Sequence, residues 1–102
     1  MSQVSVDENH VLQIRRAIQA EHKLEISYVD EAQVETTRIV WPLALAFFER
    51  VELLVSWCEL RGTFRHFRTD KILALKPIAE PIPDSREKLL GDWRKKEHIP
   101  VQ

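Results

Sequence analysis

From Leu24 onward, apolar and polar residues alternate in short runs broken by turn formers, and the chain opens and closes on stretches with helical spacing. Val11, Ile14 and Ile18 recur at helical intervals, with Leu12 and Ala17 widening the stripe. Ser5 and Glu8 stand three apart in a capping-box arrangement, which predicts a helix over about residues 6–21. Its outer face carries Gln13, Arg15, Arg16 and Gln19, read as a solvated surface. Leu24, Ile26 and Tyr28 then alternate with Glu25, Ser27 and Val29, the period of a half-buried strand. After the polar turn Asp30-Glu31-Ala32-Gln33, Val34–Trp41 is rich in β-branched residues and reads as a second strand. Pro42, with no N–H for a ladder, is expected to end it, and Ala44–Glu49 to be a connection.

Val51–Cys58 is the most hydrophobic strand and is expected to be central. Arg61-Gly62-Thr63 is read as a turn, Phe64–Arg68 as the fourth strand and Ile72–Lys76 as the fifth. Pro77, Pro81 and Pro83 give a connector over residues 77–83 that is unsuited to helix. Asp84 or Ser85 caps a last helix over about 84–96, with Leu89, Leu90 and Trp93 on one side. Gly91 weakens that helix by about 1 kcal/mol relative to alanine, so docking must hold it. Helix, five short strands and helix predict a mainly β (α+β) fold, a small antiparallel barrel or strongly bent sheet over about 24–76. The 102 residues read as one domain without repeats.

Composition narrows the function. An apolar fraction of 44% suits a packed core, and a net charge of −1 does not mark a nucleic-acid or membrane-surface protein. Charge is unevenly placed, however. Residues 7–35 hold seven acidic and three basic side chains, whereas residues 61–76 hold five basic and one acidic. That asymmetry is compatible with a local anion site. The single cysteine, Cys58, excludes an internal disulfide, and its apolar strand reads as the place of a buried, inert thiol. Met1–Ser5 has neither a basic leader nor an apolar run, and no apolar stretch approaches membrane-spanning length. A soluble, cytoplasmic protein is expected.

Catalysis finds little support. His10, His22, His66 and His98 lie on separate elements without metal-ligand spacing, there is no glycine-rich phosphate loop, and no carboxylate pair occupies an apolar setting. No enzyme, metal or cofactor is expected. Anion binding fares better. Arg65 and Arg68, three residues apart, project to opposite faces of a regular strand, one beside Phe67 and the other beside Phe64 and His66. An unpaired guanidinium among apolar neighbours is costly, so a carboxylate of the fold or an external anion should meet it. Arg38 also lies on a strand, where a rigid frame can aim its fork, although Glu25 or Glu35 could pair with it across a hairpin. Tyr28 and Trp57 offer rings for stacking on a base, or simply core packing.

These residues resemble a known family. Ile14-x-x-Ala17-Ile18, Ile26-x-Tyr28, Arg38-Ile39-Val40-x-Pro42-Leu43, Leu54-Val55-x-Trp57-Cys58 and Arg65-x-Phe67-Arg68-x-Asp70-Lys71-Ile72 follow the order and spacing of the WYL domain. Leu89-Leu90-x-x-Trp93-Arg94 is similar to the tail of YafY-like bacterial transcriptional regulators, so the resemblance runs from about residue 11 to 94. It implies an Sm-like, SH3-type five-stranded barrel with flanking helices. It also implies a regulatory module that senses a nucleotide or single-stranded nucleic acid and acts on a DNA-binding helix-turn-helix domain or partner protein. By position the implied ligand set is Arg38, Arg65, Arg68, Tyr28, Ser56, Trp57 and Cys58, and His66 joins the candidates. Two positions depart. The naming triplet reads Glu52-Leu53-Leu54, and Lys71 stands where arginine is more usual. No helix-turn-helix is present, so an excised sensor and a stand-alone protein acting through a partner both remain open. The rival reading is an interaction or homodimerisation module in which Glu52, Glu59 or Asp70 pairs the arginines internally.

Overall fold

A computed structural model of the chain describes residues 8–97. Helix α1 (Glu8–Ala20) leads into strands β1 (His22–Val29), β2 (Glu35–Phe48), β3 (Val51–Cys58), β4 (Thr63–Arg68) and β5 (Ile72–Pro81), followed by helix α2 (Arg86–Glu97). The expected capping box rests on Ser5 and lies outside the described residues, as does His98. All four pairings are antiparallel, and the strand order is β4-β3-β2-β1-β5.

Pro42 does not end its strand. β2 pairs with β1 up to Val40 and with β3 from Val40 onward, so the chain changes neighbour at that point. Pro42 sits opposite Ser56, and Leu43 is the extra residue of a bulge before Ala44 pairs with Val55. A residue without an N–H is tolerated at a bulge, where the ladder is already interrupted. Ala44–Phe48, expected as a connection, is therefore strand. β5 likewise continues through Pro77 to Pro81, into the expected connector. It can do so because β5 is an edge strand whose outer N–H groups have no ladder to complete.

The two edge strands are joined by only Thr69–Lys71, a 3-10 turn. So short a link spans at most about 14 Å from strand end to strand start, so the sheet must bend sharply. No β4–β5 ladder closes it among the described residues, and the architecture is a curled open sheet.

Each face of the sheet has its own core. The concave face gathers Leu24, Ile26, Val40, Leu54, Cys58, Phe67 and Ile72 from all five strands and receives Ile14, Ala17 and Ile18 from α1. The opposite face carries Leu43, Val55 and Phe64, covered by Ile82, Leu89 and Trp93 in and before α2. Ser85 caps α2, its Oγ accepting the Lys88 N–H at 3.1 Å.

Candidate anion-binding face

Strand register decides which candidate side chains meet. Arg38 lies opposite Ile26, and Arg65 lies opposite Ser56 on the strand that pairs Leu54 with Phe67. Both arginines therefore project to the concave face, among the residues of its core. Neither forms an ion pair among the described residues. Glu25, once a candidate partner for Arg38, lies opposite Ile39 instead, and Glu35 lies opposite Val29. Arg38 Nη1 donates to Cys58 Sγ at 3.8 Å, a weak acceptor, and its Nε is buried without any partner. Arg65 places its guanidinium carbon 5.8 Å from the centroid of Phe67, within cation–π range.

The aromatic wall of this face is Tyr28 and Phe67. Their rings meet edge to face at 4.9 Å. Burial pushes the Tyr28 phenol above its ordinary pKa, and the positive charge of Arg65 pulls it back the other way. The phenol stays protonated at neutral pH, so it can donate as well as accept a hydrogen bond. Tyr28 and Arg65 line a hollow of about 360 Å³ together with Asp30, Glu31 and Ala32. Asp30 is already engaged there, its Oδ1 accepting the N–H groups of Ala32 and Val34 at 2.9 Å each. The acidic turn thus forms one rim of the hollow, and Arg65 lines it as the one cation.

Four sequence candidates have other duties. Arg68 donates twice to Asp70, Nε to Oδ1 at 3.0 Å and Nη2 to Oδ2 at 2.7 Å. That bidentate bond holds the Asp70 carboxyl below its ordinary range. Trp57 pairs with Phe64 and Trp41 on the opposite face, stacked on Trp41 at 5.6 Å and edge-on to Phe64 at 5.0 Å. His66 is on that same face, its Nε2 accepting the Trp93 Nε1–H at 2.8 Å, which anchors α2. Ser56 is fully buried on the concave face, where its Oγ donates to the Arg65 carbonyl at 3.4 Å and steadies that strand position. Glu52, at the first position of the naming triplet, accepts from the Thr69 hydroxyl at 3.1 Å and pairs with no arginine among the described residues. Among the described residues no cluster of His, Cys, Asp or Glu could hold a metal ion, and no helix is long and apolar enough to cross a membrane.

Phe67 was visible beside Arg65 in the sequence by simple alternation, whereas its contact with Tyr28 was not. The acidic rim was legible only as a polar turn. Nothing local in the sequence signals the bond between His66 and Trp93, 27 residues apart.

Comparison with known proteins agrees with the fold. Among solved structures the chain is similar to Proteasome accessory factor B/C (PafBC) of Arthrobacter aurescens, with a TM-score of 0.70 and 24% identity over 84% of this chain. It spans only 14% of that protein's length, so the likeness is one of fold. No curated protein matches the chain. The family model for the WYL domain matches residues 9–77, more than half of the sequence, and the chain belongs to the WYL-domain family.

Proposed function

We propose that this WYL domain is the ligand-sensing part of a bacterial transcriptional regulator, binding a nucleotide or single-stranded nucleic acid on the concave face of the sheet. The curl of that sheet is read here as an Sm-like, SH3-type barrel. Arg38 and Arg65 neutralise phosphate, and Tyr28 packs against the base. The bound state is passed through α1 to a DNA-binding helix-turn-helix domain or partner protein in the cytoplasm. The role is binding rather than catalysis, and it calls for no cofactor.

The carrying observation is Arg38, a guanidinium on the concave face that among the described residues has no partner for its buried Nε and only a thiol as acceptor. A cation so placed is costly to the fold unless something anionic comes to it. Each charge-assisted contact contributes about 1.5–3 kcal/mol, so losing either arginine should weaken binding by roughly tenfold or more. Titration of a labelled oligonucleotide and a nucleotide panel at two salt concentrations tests this. A strand binder loses affinity steeply with salt and a small-ligand pocket loses less. Arg68→Ala should matter less, because Arg68 is already bonded to Asp70. Unchanged affinities in both Arg38→Ala and Arg65→Ala would defeat the reading.

The ligand-free alternative, an interaction or homodimerisation module, draws support from that Arg68–Asp70 pair and from Phe48, which is 46% exposed beside the β2–β3 turn. Molecular mass in solution is its test, and a monomer at every concentration counts against it.

A further inference from the structure

Where α1, the C-terminal half of β2 and the first turn of α2 meet lies a cleft of about 390 Å³ that shares no lining residue with the Tyr28–Arg65 hollow. We propose that this cleft binds a small carboxylate carried on an apolar body, with Arg15 and Arg86 receiving the carboxylate.

Arg86 is aimed by the fold. Its Nε donates at 2.7 Å to the carbonyl of Leu43, the bulge residue that interrupts the β2 ladder. This bond holds the guanidinium at the cleft while its terminal nitrogens donate to no carboxylate of the described residues. Arg15 enters from α1, on the same helical face as Ile18 and Gln19, and also makes no ion pair among the described residues. An exposed arginine on a helix is ordinarily just solvated. Here it borders the same cleft as a second, anchored guanidinium above an apolar floor.

The acidic residue of the cleft does not cancel them both. Glu21 Oε1 accepts the backbone N–H of Arg86 at 3.0 Å, so its charge is directed at the start of α2, where a negative group is favoured. Two guanidinium groups against one engaged carboxylate leave a surplus suited to a monoanion. Gln19 adds a neutral polar group, and the other lining side chains, Ile18, Ala44, Leu45 and Phe47, are apolar. Ile18 and Leu45 form the floor, and Phe47, 71% exposed, stands at the wall with most of its ring in water. A ligand with a hydrocarbon body would cover that ring, whereas a sugar phosphate would leave it wet. At about 30 Å³ per small group the volume holds roughly a dozen non-hydrogen atoms, the size of a medium-chain or arylalkyl carboxylate.

The test uses the full chain and three probes below micellar concentration: decanoate, the neutral decanol, and inorganic phosphate. Decanoate should bind and shift the backbone amides of Ile18, Ala44 and Leu45. Decanol and phosphate should each bind about tenfold more weakly, since each lacks one half of the recognition. Arg15→Gln removes no side-chain hydrogen bond among the described residues and should weaken decanoate about tenfold, with urea stability unchanged. Nucleotide or oligonucleotide affinity should not move in that variant, because the cleft shares no lining residue with the Tyr28–Arg65 hollow. Equal binding of decanoate and decanol, an Arg15→Gln variant that binds decanoate like the parent, or shifts confined to other surfaces would each overturn the proposal.

Discussion

Tyr28 on β1 and Phe67 on β4 meet edge to face with ring centroids 4.9 Å apart, although β2 and β3 separate their strands in the sheet. Only a sheet rolled on itself brings such residues together, so this contact reports the curvature directly. Phe67 is 1% exposed and also lies under Arg65. Phe67→Ala should therefore cost about 3–5 kcal/mol, a large part of the 5–15 kcal/mol typical of a domain. Phe67→Leu keeps most of the volume and should cost less than about 1.5 kcal/mol while removing the ring beneath the guanidinium. Urea unfolding distinguishes the two. Similar losses in both variants would mean that the ring contact, rather than packing volume, dominates.

Arg38 can separate stability from the proposed ligand binding. Its Nε is buried and unpartnered, so the fold carries a desolvation cost that methionine would remove at similar length. Arg38→Met should leave stability to urea unchanged or raise it by up to about 2 kcal/mol, and weaken the proposed binding to the concave face by roughly tenfold or more. A large loss of stability would show that the Cys58 contact matters more to the fold than its 3.8 Å length indicates.

How far this site was legible in the sequence depended on register. Alternation placed Leu24, Ile26 and Tyr28 on one face, and it placed Arg65 beside Phe67, because period two needs no tertiary information. The face of Trp57 was a different matter. A turn read at Arg61–Thr63 is in fact the loop Glu59–Gly62, closed by the Gly62 N–H bonding to the Cys58 carbonyl at 2.8 Å. That loop sets Trp57 opposite Phe64 and Ser56 opposite Arg65, so Trp57 falls on the face away from Arg38 and Arg65. Pro42 misled for a related reason. Whether a proline ends a strand depends on which neighbour needs its N–H, and β2 changes neighbour there. The family resemblance located the arginines by position, yet could not show that Arg68 is taken by Asp70.

The second face depends on Trp93. Its ring is 8% exposed, and its Nε1–H donates to His66 Nε2 at 2.8 Å. Trp93→Phe keeps most of the ring and removes the donor, so it should cost about 0.5–1.5 kcal/mol, whereas Trp93→Ala should cost about 3–5 kcal/mol. Amide exchange in α2 is the informative readout. Protection of Leu89 and Leu90 should fall modestly in the first variant and vanish in the second. Full protection in Trp93→Ala would show that α2 is held by other contacts.

Acid should weaken the fold partly through Glu59. Its carboxylate accepts the Lys23 ammonium at 2.8 Å and the Trp41 Nε1–H at 2.8 Å, and these bonds, the lysine's first, hold its pKa below the ordinary value. A carboxylate lowered in the folded state binds protons less readily there than in the unfolded chain. Its contribution is therefore complete above the unfolded value of about 4.3 and is lost as pH falls through the lower folded value. Lys23 works in the opposite sense. Its pKa is raised, so its share persists to alkaline pH and fades only as pH climbs through that raised value. Glu59→Gln should be less stable than the parent at pH 7, and the gap in urea midpoint should shrink below about pH 4. A gap constant from pH 7 to pH 3 would assign the loss to something other than this charge.

The two glycines should respond to alanine in opposite ways although a Cβ at either would meet nothing within 4 Å. Gly91 lies inside α2 with ordinary helical backbone, so alanine there mainly restricts the unfolded chain and adds helix propensity. Gly91→Ala should stabilise by about 0.4–1 kcal/mol. Gly62 closes the β3–β4 loop at φ 63°, where a side chain is strained whatever the space around it. Gly62→Ala should destabilise by about 1 kcal/mol. Because that loop sets which residue faces Arg65, the same variant also reports on the site. If its register holds, concave-face affinity stays at the parent value while the urea midpoint drops. If the strands slip by one residue, Arg65 leaves the concave face and binding disappears with it.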